Sequence, residues 1–169
     1  MQTAAAAALA LIAALSFQTS PLRAQTQPSQ IPDPALTPGA AVSGLRWEQL
    51  CPTIALPQRS ISTATREKVF KQYGVKDCVV KGSTPDNPLP TCGALYELDH
   101  LIPHALGGAD AVENLWPQRL TGPCNAVHKD KLERFAHSAY CSGQLTLDEA
   151  RALFTGDWRR EYQKRFGAC

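Results

Sequence analysis

Six cysteines, Cys51, Cys78, Cys92, Cys124, Cys141 and Cys169, all lie at or beyond position 51 of a 169-residue chain. An even number of cysteines in an exported chain reads as a disulfide framework, here of up to three bridges. Such a framework restricts the polypeptide to a small stapled domain. It also suits the middle of the sequence, where Pro85, Pro88 and Pro90 between Gly82 and Gly93 leave a loop with no regular element. The pairing stays open at the level of sequence. No Cys-x-x-Cys pair is present, which argues against a zinc-thiolate site.

Export is expected from the start of the chain. Ala4 to Ala14 is almost unbroken Ala and Leu, Leu15 and Phe17 extend it, and Leu22-Arg23-Ala24 follows. A short apolar core ending near a small residue is the pattern of a secretory signal peptide, with cleavage expected after Ala24. The run is too short to span a bilayer comfortably, so no stable membrane association is expected after cleavage. Residues 25–44, rich in Pro, Gln, Thr, Ser and Ala, read as a flexible leader. The domain is expected over 45–169. Beyond residue 24 the chain carries 16 basic and 15 acidic residues. A nearly neutral balance gives no support to nucleic-acid binding, so any such case rests on local clusters.

The coarse pattern is α+β. Ser62 to Tyr73 predicts a helix capped by Ser62 or Thr63 and ended by Gly74. A short extended piece is expected over 76–81. Leu95 to His100 alternates as a strand does, and Asn114-Leu115-Trp116 starts a second one before Pro117. Val127, His128, Leu132, Phe135, Ala136 and Ala139 recur at helical steps. Thr146 and Glu149 form a capping box for a last helical region over 146–166, with a break near Gly156.

The chemistry-bearing residues crowd into one stretch. Three of the four histidines, His100, His104 and His128, fall between positions 100 and 128. Asp99 and His100 are neighbours on a strand and face opposite ways, so one metal cannot easily take both. Separate roles follow: Asp99 as an oxygen ligand, and His100 as a group able to take a proton near neutral pH. The plainer readings are a hydrogen-bonded Asp-His pair at a strand end and a helix histidine at position 128.

The order Asp99-His100-Leu101-Ile102-Pro103, Gly107-Gly108, Asn114-Leu115-Trp116-Pro117-Gln118 and Lys129-Asp130-Lys131-Leu132-Glu133 resembles the ββα-metal, or His-Me finger, nucleases of the HNH class. Tyr96 to Glu133 resembles in particular a family of small exported bacterial HNH-like proteins. The likeness continues through Cys141-Ser142-Gly143, Leu147, Glu149-Ala150 and Asp157-Trp158, with a motif core at 94–140. It implies a small ββα-metal core with additional helices, stabilised by disulfides. It also implies an exported, metal-dependent endonuclease cutting phosphodiester bonds, DNA above all, with little sequence specificity.

Carried over by residue, His100 is the general base, Asp99 a metal ligand, and Asn114 the brace that orients His100. The helix ligand is His128 or Asn125; imidazole favours a transition metal and the amide suits magnesium. One divalent ion, Mg, Mn or Zn, is implied. Lys129, Lys131 and Arg119 are candidate phosphate contacts. Their plainer reading is a solvated helix face, on which Lys129 and Glu133 are spaced as an i,i+4 pair. Arg159, Arg160, Lys164 and Arg165 form a second basic group, diluted by Asp157 and Glu161. The alternative to a nuclease is a disulfide-stabilised binding or structural protein on the same fold. Oligomeric state stays open.

Overall fold

The computed structural model describes residues 30–52, 61–75 and 96–169. The signal segment, the extended piece at 76–81, the loop at 82–93, and Cys78 and Cys92 lie outside the described residues. In order, the elements are α1 (Trp47–Leu50), α2 (Thr63–Gln72), β1 (Tyr96–His100), β2 (Leu115–Arg119), α3 (Ala126–Cys141), α4 (Leu147–Thr155) and α5 (Trp158–Phe166). Short 3-10 turns at His104–Leu106 and Val112–Asn114 sit between the strands. This is a small α+β fold with a two-stranded antiparallel sheet and several helices.

Local side-chain chemistry sets most helix ends. Ser62 accepts from Thr65 N–H, Asn125 from Val127 N–H and Asp157 from Arg159 N–H. The Thr146–Glu149 capping box forms. Each bond satisfies a backbone donor that has no partner inside the helix. Gly156 ends α4 and Asp157 starts α5, so the long last helix is two.

In the sheet, Asp99 pairs with Trp116 and His100 with Leu115. Alternation puts Glu97, Asp99, Trp116 and Gln118 on one face, and Tyr96, Leu98 and His100 on the other. Phe70 of α2 packs with Tyr96 and Leu98 on the second face. The main core joins Leu132 and Ala136 of α3 to Ala150, Leu153 and Phe154 of α4, and to Trp158 and Tyr162 of α5, with Leu101 and Leu106 beneath. Among the described residues two disulfides, Cys51–Cys141 and Cys124–Cys169, tie α1 to the end of α3 and the start of α3 to the C-terminus.

The expected flexible leader is corrected over 30–44. Thr37 is fully buried, donating to Leu115 O and sharing a 2.7 Å hydrogen bond with Tyr73 Oη. Trp158 Nε1 donates to Gln30 O, Gly39 N to Glu113 O, and Ala109 N to Ala40 O. The physical reason is backbone pairing: Ala41 bridges Gly108, so this segment satisfies the loop after β1. Gly108 is required there by space. A Cβ on it would lie 1.7 Å from Ile102 O. Gly108→Ala is expected to cost about 3 kcal/mol, read as a lower urea midpoint.

Candidate functional site

Lys129 lies at the centre of the region that the sequence marks. It sits in the first turns of α3 and is fully buried. Its Nζ lies 2.7 Å from Asp99 Oδ2, donates to His100 O at 2.6 Å, and ion-pairs with Glu133 one turn along. The Phe154 ring lies beneath it, 5.4 Å from Nζ to centroid. Burial alone would lower the Lys129 pKa. The attraction of Asp99 and Glu133, with the hydrogen bond to Glu133, outweighs burial and pushes it above the ordinary lysine value. The ammonium stays charged.

Asp99 is thereby used up. Oδ1 accepts from His100 N–H at 2.8 Å, and Oδ2 faces Lys129. Oδ2 makes no well-directed hydrogen bond, so the ion pair is what compensates its burial. A divalent ion at Asp99 would have to displace a buried ammonium. The residues at this point do not fit the metal that the sequence led us to expect.

The helix candidates look elsewhere. Adjacent helical positions point about 100° apart, so His128 does not follow Lys129 toward Asp99. His128 Nδ1 lies 2.9 Å from Asn125 Oδ1, and its ring meets Tyr162 edge-on with centroids 5.2 Å apart. Asn125 caps α3 with the same oxygen. Neither Asp99 nor His128 belongs to a cluster of three acidic, histidine or cysteine ligand atoms among the described residues.

His100 is buried, and its Nε2 lies 2.7 Å from Asp110 Oδ1 on a side chain that is 35% exposed. Asn114 is buried and braces the loop after β1. Its Oδ1 accepts from Ile102 N, and its Nδ2 donates to Ile102 O and Ala109 O. Its side-chain amide therefore holds the backbone of the loop that follows His100.

The phosphate candidates divide. Lys129 is excluded from solvent and cannot touch a phosphate. Lys131 is exposed, with Nζ 4.3 Å from the Phe166 centroid, and Arg119 ends β2 partly exposed. On α5, Arg159 pairs with Asp157, and Lys164 and Arg165 with Glu161. Neutralisation within the helix weakens it as a backbone-binding face.

Carboxylates crowd the lysine. Burial first, then repulsion from Asp99 and Asp130, raises Glu97 to about 7, and burial likewise raises Glu133. A raised carboxylate pKa means that the folded state binds the proton more tightly than the unfolded one. The stabilisation is complete below about 4.5 and is lost as pH rises through about 7. The melting temperature is therefore expected to fall between pH 5 and pH 8. Glu97→Gln should flatten that slope, as measured by thermal melts of both proteins across the range.

A different cluster was not anticipated. Cys51, His137 and Cys141 bring three ligand atoms within 4.8 Å of one another and form a group capable of coordinating a metal ion. In the structure the two sulfurs are joined as a disulfide, so neither is present as the thiolate that binds a metal. The sequence signal was His137 and Cys141 four apart on one helix; Cys51 comes from far along the chain.

No family model, curated protein or solved structure matches the chain. Among the described residues no helix is long and apolar enough to cross a membrane.

Proposed function

We propose that the chain is an exported, disulfide-braced binding or structural protein on an HNH-like ββα scaffold, with Lys129 filling the position that a metal would take. The observation that carries this reading is the buried Lys129 ammonium 2.7 Å from Asp99 Oδ2. A lysine there supplies the positive charge that the carboxylate needs for burial. It offers no open coordination position for water or a phosphate oxygen, which is what metal-assisted hydrolysis requires.

The second reading is the metal-dependent endonuclease, cutting DNA with little sequence preference and using His100 as base. The His100–Asp110 pair favours it, because a carboxylate against one ring nitrogen holds the imidazole in a fixed orientation. The Asn114-braced loop is the second support. This reading needs Lys129 to leave Asp99.

Supercoiled plasmid incubated with the oxidised full chain separates the two. Magnesium, manganese, zinc and a chelator are the arms, and His100→Ala is the control. The first reading expects no nicking above the control with any metal. Metal-dependent nicking lost in His100→Ala would establish the nuclease.

A further inference from the structure

We propose that Cys51, Cys141 and His137 form a redox-gated site for a soft metal ion, closed as the disulfide and opened by reduction. The inference stands apart from the reading of Asp99 and Lys129, since it uses none of those residues.

The three ligand atoms already lie within 4.8 Å of one another, so the site needs a broken bond and not a rearranged backbone. His137 and Cys141 are one turn apart on α3 and share a face. His137 Nε2 lies 3.4 Å from Cys141 Sγ. Cys51 is delivered by α1, which buried Leu50 anchors. The carbonyl of Leu50 also holds His137 Nε2 at 2.7 Å, so the imidazole is aimed at the end of α1. All three residues are partly exposed, which gives a reductant and an ion access; Cys124 in the other described bridge is 8% exposed.

The step balances with a dithiol as reductant. The dithiol gives two electrons and two protons and closes into its own disulfide. The Cys51–Cys141 bond breaks into two thiols. Metal binding releases those two protons, because the thiolate is the ligand. His137 binds as the neutral ring, exchanging its contact with Leu50 O for the ion while its proton rests on Nδ1. Two thiolates and one imidazole select zinc or cuprous ion over magnesium or calcium. The ion would keep α1 fastened to α3, as the disulfide does.

Cobalt(II) is the probe, titrated anaerobically into the full chain before and after reduction by a dithiol that is then removed. The reduced protein should bind one cobalt per chain and show a thiolate-to-cobalt charge-transfer band that zinc abolishes; the oxidised protein should show no such band. The band should be lost in the reduced Cys51→Ser/Cys141→Ser double variant. It should persist with weaker binding in His137→Gln. Far-UV circular dichroism runs alongside, so that a reduced chain that has lost its helices is recognised. Helix signal that is kept, or regained on adding metal, supports the site. No band in the reduced chain, the same band in the double variant, unchanged affinity in His137→Gln, or helices that metal does not restore would each overturn it. Cobalt bound at Asp99 would give no thiolate band, so the result also stands clear of the proposed function.

Discussion

Lys129→Met is expected to remove roughly 3–5 kcal/mol of folding stability, because it leaves Asp99 buried beside Glu133 with no positive partner. Methionine keeps much of the volume against Phe154, so the loss reports charge more than packing. The companion variant Asp99→Asn/Lys129→Met should be more stable than Lys129→Met alone, since the uncompensated carboxylate is gone. Urea denaturation of the two single variants and the double closes a thermodynamic cycle. A large favourable coupling between positions 99 and 129 is the expected outcome. Additive effects would mean that the ion pair does not support the fold.

Asn114→Ala is the second large effect. It leaves the N–H and C=O of Ile102 and the C=O of Ala109 without their side-chain partner. Unmade buried hydrogen bonds of this kind cost about 1–3 kcal/mol each, and water entering the gap recovers part, so a net loss of about 3 kcal/mol is expected. The same loop carries Asp110, so the His100–Asp110 contact should loosen with it. Chemical-shift titration of His100 by NMR, compared between the wild type and Asn114→Ala, reads that loosening. An unchanged melting temperature and an unchanged His100 titration would contradict the brace.

Features written in local spacing were legible from sequence. Ser62 and Thr146 with Glu149 cap helices as their positions suggest, because a cap is a bond between residues two or three apart. The strand pair flanking the Gly107-Gly108 loop was legible for the same reason, since alternation and turn residues are short-range signals. The Lys129–Glu133 pair was readable from its i,i+4 spacing, but its burial was not. Lys-Asp-Lys-Leu-Glu has the look of a solvated face, and only the docking of α3 against Asp99 takes that lysine out of water. The segment 30–44 was misread because, Thr37 apart, many of its anchors are backbone groups, at Gly39, Ala40 and Val42, which leave no mark in side-chain composition. Cys51 with His137 and Cys141 was missed because the first lies 90 residues from the last.

Manganese binding to the oxidised full chain tests the central claim most directly, read by the loss of the free-ion electron paramagnetic resonance signal. Oxidation keeps the cysteine cluster closed, so Asp99 is the site in question. If Lys129 fills the metal position, the signal should fall no further for the wild type than for Asp99→Asn. A saturable site taking one ion per chain, present in the wild type and lost in Asp99→Asn, would contradict the account and return the chain to the metal-dependent nucleases.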